Sequence, residues 1–198
     1  MRSLTLSIGC AALAATMLGC ASAPPAAETP AAAPKASAPM VVADFEDASR
    51  AIVTFAGPKS SIKTEYVTDI VHSGKSALKV TENTSDWTGA LLEFKEEGGD
   101  WSSYSQLRIW IYGSKNGQYF NIDFEDKGME QFRYSIANDF QGWQEFVIPF
   151  SKVPVRSDYQ APSASRNGHI DWPLKTLQFC TASNFKGSLV FDDISVEP

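Results

Sequence analysis

Short segments that alternate apolar or aromatic residues with polar ones, each closed by a turn signal, fill this chain from residue 77 onward. Residues 77–81, 90–94, 107–112, 119–124, 132–136, 144–148 and 189–191 are rich in β-branched and aromatic side chains. Ser73-Gly74-Lys75, Gly98-Gly99-Asp100, Lys115-Asn116-Gly117 and Asp126-Lys127-Gly128 punctuate them. A pleated strand sends successive side chains to opposite faces, so this alternation suits half-buried strands. No segment carries a convincing amphipathic helical period. The expectation is an all-β fold, a β-sandwich or jelly roll.

The first twenty residues read as an address. Arg2 supplies a positive start, residues 4–18 form a short apolar run, and Met17-Leu18-Gly19-Cys20 closes it. The run is too short to span a bilayer and has the flanks of a cleaved signal. Its end resembles a bacterial lipobox, so residues 1–19 are expected to be a lipoprotein signal peptide and Cys20 the lipidated residue. An ordinary secretory signal cut after Ala21-Ser22-Ala23 is the other reading. Ala21 after the cysteine points to a bacterial outer-membrane lipoprotein, on the periplasmic or cell-surface face. Residues 21–39 are mostly Ala and Pro, and Pro24, Pro25, Pro30, Pro34 and Pro39 forbid a continuous helix. At roughly 3 Å per residue such a tether could lift a domain about 50–60 Å from a membrane.

Residues 40–198 are the right size for one domain with a real core. With the signal gone and Cys20 lipidated, Cys180 is left alone, so no intrachain disulfide is possible, and its apolar neighbours predict a buried, inert thiol. The net charge is −6 and no Lys/Arg run occurs, which argues against nucleic acid and anionic lipid surfaces as partners. Gly74-Lys75-Ser76 mimics the end of a phosphate-binding loop, but Asp69 stands where that motif needs a glycine. A turn is the better reading.

Several phrases occur in a telling order. Residues 73–80 (SGKSALKV) precede residues 101–113 (WSSYSQLRIWIYG). Residues 142–150 (GWQEFVIPF), Ile170-Asp171, Leu177-Gln178-Phe179 and Val190-Phe191-Asp192-Asp193-Ile194 follow. The set resembles the galactose-binding-like β-jelly rolls, above all the family 11 carbohydrate-binding modules and the related complex I intermediate-associated domains. The resemblance covers about residues 41–196. It implies non-catalytic binding of a polysaccharide, β-glucan-like or an envelope glycan.

Alternation says which side chains could share a binding face. Phe120, Ile122 and Phe124 are expected inward, leaving Tyr119, Asn121, Asp123 and Glu125 outward. Arg133, Trp110, Tyr112 and Gln178 are expected outward on their own strands. Sugar hydroxyls ask for Asp, Asn, Gln or Arg, and the apolar face of a pyranose asks for a flat aromatic. Trp110, Tyr112, Tyr119, Asn121, Asp123, Arg133 and Gln178 offer that mixture. The long irregular stretch 153–172 could close over them with Arg156 and Tyr159.

The resemblance also implies a structural calcium ion between the two chain ends. Its side-chain ligands would be Glu46 and Asp192, with carbonyls near Ser73 and Lys75. Alternation would place Asp192 on the side of Ile194 and Asp193 on the other, and Asp192 is the preferred ligand. These hard oxygen donors suit calcium. Two other functions stay open. One is an envelope scaffold or assembly lipoprotein gripping a protein partner. The other is a small glycoside hydrolase, since Asp123 and Glu125 share a face and Glu93, Asp126 and Glu130 are available. His72 and His169 lie far apart with no triad or metal spacing around them.

Overall fold

The computed structural model describes residues 38–198. The expected signal peptide, Cys20 and the Ala/Pro stretch before Ala38 lie outside the described residues. The elements are β1 (Met40–Ala43), β2 (Val53–Ala56), β3 (Ser61–Val67), β4 (Ala77–Asn83), β5 (Thr88–Glu93), a single helical turn α1 (Glu96–Gly99), β6 (Gln106–Ser114), β7 (Tyr119–Glu125), β8 (Gln131–Ala137), β9 (Gln141–Pro149), a 3-10 turn (Phe150–Lys152), β10 (Thr176–Thr181) and β11 (Lys186–Glu197). They form two antiparallel sheets. One is six-stranded in the order β3-β4-β11-β6-β9, with β1 pairing β11, and the other is five-stranded in the order β2-β5-β10-β7-β8. This is the expected β-sandwich jelly roll.

The core lies where the inner faces meet. Leu107, Ile109 and Ile111 of β6 oppose Phe120, Ile122 and Phe124 of β7 and Leu177 and Phe179 of β10, all essentially buried. Phe179 and Phe191 stack at 4.3 Å, one ring from each sheet. Every inward assignment made by alternation for β6 and β7 holds, because the period of two is a property of the backbone itself. The short β1 and β2 escape a pattern search that needs several repeats. The edge strand β3 escapes for another reason. Its outward Lys63 and Glu65 form an ion pair at 2.5 Å, the charged dressing that keeps a sheet edge from pairing with other chains.

A carboxyl and three hydroxyls sit inside together. Glu82, on the inner face of β4, is 4% exposed. Its carboxyl adjoins the Thr88 and Thr181 hydroxyls, yet burial dominates and pushes it up to about 7. Oε1 has no hydrogen-bond partner. Thr84 lies 2.6 Å from both Thr88 and Thr181, so three hydroxyls from both ends of the β4–β5 turn and β10 close on one another.

Candidate functional site

Directly opposed residues of an antiparallel sheet share a face, so the registers define the outer surface of the five-stranded sheet. Two rows cross it. Val53, Leu91, Gln178, Asp123 and Arg133 form one, and Phe55, Gly89, Cys180, Asn121 and Ser135 the other. The floor is polar on the β7–β8 side, where Ser135 donates to Asn121 at 2.7 Å. It is aromatic on the β2 side. Phe55 lies over Gly89, where a methyl group would collide with the Phe55 ring and the Cys180 sulfur. Trp87, half exposed, stands 6.1 Å from Phe55. Exposed Tyr119 and Tyr159 stand on the opposite side.

The 153–172 segment completes the β8 side. Val155 bridges to Phe132, the Arg133 N–H donates to the Pro154 carbonyl at 3.0 Å, and the Arg156 N–H donates to the Gln131 carbonyl at 2.8 Å. The segment thus adds a short extra strand to the sheet edge. Its far half is pinned by Glu130, whose carboxylate accepts the Asn167 and Gly168 N–H groups at 3.0 Å. The result is that Arg156 and Asp158 are held over the sheet.

Four charges meet there. Arg133 donates to both oxygens of Asp123, from Nε at 2.8 Å and from Nη2 at 2.6 Å. Arg156 Nη1 reaches Asp123 Oδ2 at 3.2 Å, and its Nε and Nη2 grip Asp158 at 2.8 and 3.1 Å. Arg133 Nη1 also reaches Asp158 at 3.0 Å. Asp123 is fully buried beneath the guanidiniums. Burial works against the Arg133 charge, but the hydrogen bonds and charge of Asp123 outweigh it and raise the guanidinium further. Asp158 is lowered to about 2 by its hydrogen bonds to Arg156 and the charges of both arginines. Between these groups and Tyr119 lies an open cavity of ≈ 560 Å³, the size of a small-ligand site.

A polar floor flanked by exposed flat rings is sugar-binding chemistry, and the wider relationships agree. The family described as carbohydrate binding domain (family 11) matches residues 26–197. The chain belongs to the family 11 carbohydrate-binding modules. A family 11 module of Clostridium thermocellum, solved with a β-1,3-1,4-mixed-linked tetrasaccharide, is 25% identical, with 82% of this chain and 97% of that one covered and a TM-score of 0.71. The family 11 module of the Clostridium thermocellum cellulase Lic26A-Cel5E is 24% identical over 78% of this chain and 91% of that one, TM-score 0.66. A family 30 module of a Clostridium thermocellum cellulase shares the fold at 17% identity, with 80% and 96% covered and a TM-score of 0.56. No curated protein matches the chain. The function of a family 11 module is non-catalytic binding of polysaccharide.

The cleft of this family 11 module gathers Tyr119, Asn121, Asp123, Arg133, Gln178 and Tyr159, as expected from alternation and from the length of the 153–172 loop. It corrects the grouping in two places. Trp110 and Tyr112 belong to β6, in the other sheet, and point away from the cleft on the far side of the sandwich. There Trp110 stacks on His72 at 3.8 Å, and Trp143 meets both His72 and Tyr112 edge-on at 5.5 Å. Asp123 faces outward but is not a free hydroxyl partner, because two arginines cover it. Phe55, Trp87, Ser135 and Asp158 complete the cleft without having been singled out. Val53-Thr54-Phe55-Ala56 does alternate, but over too few residues to stand out.

The two ends of the jelly roll meet at the 72–76 turn. Glu46 Oε1 accepts the N–H groups of Lys75 and Ser76 at 2.8 and 3.1 Å. Asp192 Oδ2 accepts those of His72 and Ser73 at 3.0 and 3.2 Å. Asp193 takes His72 Nδ1 at 2.6 Å and the Ser73 hydroxyl at 2.8 Å. So the 72–76 turn addresses these carboxylates through N–H groups. Backbone hydrogen bonds lower Glu46, whereas burial raises Asp192. Among the described residues no trio of His, Cys, Asp or Glu is arranged to hold a metal ion. Alternation fails at this corner. A bulge puts Asp193 at φ 44, so Asp192 stands opposite Trp110 while Ile194 is in the core. Gly74, at φ 63 and packed against the Glu46 carboxylate, makes the turn that had mimicked a phosphate loop.

Proposed function

We propose that this module holds a β-glucan chain across the two outer rows of the five-stranded sheet, from a lipoprotein anchored in the bacterial outer membrane. The observation that carries the ligand reading is the sequence of surfaces along those rows. The Phe55–Trp87 pair comes first, then Gln178 and Asn121, then the arginine-capped pocket with Tyr119, beside which Tyr159 lies under Arg156. Apolar sugar faces meet rings at either end, and hydroxyls meet amides and guanidinium N–H groups between them. The related Clostridium thermocellum module was solved with a β-1,3-1,4-mixed-linked tetrasaccharide, which supports a β-linked polymer here. Native gels containing β-1,3-1,4-glucan should retard the protein. Migration unchanged by the polymer would overturn the reading and leave a protein partner as the alternative to test.

The resemblance of Met17-Leu18-Gly19-Cys20 to a lipobox and the Ala/Pro stretch support the anchor. Mass spectrometry of the mature protein should find a lipidated Cys20, and Cys20→Ser should abolish the lipid. Calcium belongs to the same proposal. The carboxylates of Glu46, Asp192 and Asp193 beside the 72–76 turn offer hard oxygens, the donors that calcium takes. Glu46 and Asp192 would hold the ion with the turn at Ser73 and Lys75, and its charge would join the two chain ends. Calcium at a hundredfold over its Kd should stabilise the domain by about 2.7 kcal/mol. A melting curve that stays put in millimolar calcium would remove the ion.

A further inference from the structure

We propose that Asp158 is a built-in carboxylate decoy that makes this cleft refuse acidic polysaccharides. The inference rests on the glycan reading of the same cleft and adds what the cleft excludes.

A guanidinium is the protein group best matched to a carboxylate, because its planar fork donates two parallel hydrogen bonds. Two arginines lining one open cavity would therefore be expected to seat a uronate. Here they are cancelled. Asp123, fully buried in the floor, answers one positive charge. Asp158, whose side chain is 57% exposed at the mouth, answers the other. Its position is that of a bound ligand carboxylate. Both of its oxygens lie on the Nε/Nη2 edge of Arg156, and Arg133 Nη1 approaches the same group from the side. An incoming uronate would have to displace a carboxylate already tethered in place, at a high effective concentration that a free sugar does not match. The Asp158 carboxyl, lowered to about 2 by Arg156 and Arg133, stays ionised through the whole neutral range.

The mask removes charge without removing donors. Each guanidinium has five N–H groups, and Nη1 and Nη2 carry two each, so N–H groups remain to meet neutral hydroxyls. Cancelled charge with spare donors is a filter for uncharged sugar.

The test uses the full chain and two polymers, mixed-linked β-glucan and polygalacturonate, in affinity gels at low and at high salt. The wild type should be retarded by glucan and not by polygalacturonate. Asp158→Ala should raise retention by polygalacturonate relative to glucan by at least about tenfold at low salt, with the gain lost at high salt. Removing the fork as well, in Asp158→Ala with Arg156→Ala, should abolish the gain. Asp158→Ser serves the same purpose if the alanine variant does not melt cooperatively. Wild-type protein retarded equally by both polymers would overturn the decoy, and so would a polygalacturonate-to-glucan ratio unchanged in the folded Asp158 variants. Glucan retention with no gain on polygalacturonate sinks the decoy alone. Loss of both sinks the glucan reading with it.

Discussion

On the five-stranded sheet the outer side chains of β10, β7 and β8 are mostly polar, and Asp123 and Arg133 cancel each other's charge. On the six-stranded sheet the outer face of β6 and β9 carries the Arg108–Glu145 ion pair and, beside it, the rings of Trp110, Tyr112 and Trp143, which with His72 cover one another. Trp110, His72, Trp143 and Tyr112 satisfy their flat faces by mutual stacking and edge contacts. Trp87 and Tyr119 are half exposed to solvent, and so is Tyr159, although the Arg156 guanidinium lies over its ring. The difference teaches that an aromatic residue on an outer face says little about binding until its neighbours are known. A ring that is already stacked has little face left for a sugar.

The comparison is broken most violently at the polar floor. Arg133→Ala removes the main partner of the fully buried Asp123 and leaves it only the longer contact to Arg156, and breaking a buried ion pair costs about 3–5 kcal/mol. For a domain of this size that is a melting-temperature loss of roughly 6–20 °C. The same change at Lys63, whose ion pair with Glu65 is on the surface, should cost about 1 kcal/mol or less. Equal losses at the two positions, read by thermal melts, would mean that the floor is not the buried ion pair described here.

A second measurement asks whether the two faces are independent, because Glu82 of one sheet reaches Thr88 and Thr181 of the other. Burial raises the Glu82 carboxyl from 4.5 to about 7, so the folded state binds its proton more tightly than the unfolded state. The stabilisation from this proton is complete below pH 4.5, declines as pH rises through 7, and is absent above. On the order of 3 kcal/mol follows from the shift. Glu82→Gln, which cannot ionise, should flatten the stability profile between pH 5 and 8 and melt higher than wild type at pH 8. Parallel profiles for the two proteins would refute this. Glucan retention that falls over the same pH window in wild type only would show the cleft responding to the interior of the sandwich.

The smallest effect sharpens the comparison most directly. Trp87→Ala should weaken glucan retention by about 1–2 kcal/mol and shift the melting temperature little. Trp110→Ala should do the reverse, losing about 1–2 kcal/mol of stability through its emptied stack while retention holds. Affinity gels and melts on the same preparations check both. If Trp110→Ala weakens retention without lowering stability, the six-stranded sheet also carries a binding face.

The family and most of the strands could be read along the chain, as could the outward direction of Asn121, Asp123, Arg133 and Gln178. Alternation is local, and it needs only the pleat of one strand. Which sheet a strand joins is not local. Trp110 and Asp123 are both outward, in neighbouring strands of the sequence, yet they end on opposite sides of the molecule because β6 pairs with β11 and β7 with β10. Nor could alternation foresee the bulge at Asp193, where one extra residue reverses every side chain beyond it. The charge balance of the cleft was hidden for the same reason. Asp123, Arg133, Arg156 and Asp158 lie on two strands and a loop, and only the folded register brings two positive and two negative groups into contact. Sequence determined what each strand would show and what it would hide, since that is backbone geometry; the tertiary structure alone decided which exposed groups face one another, since that depends on pairings between distant segments.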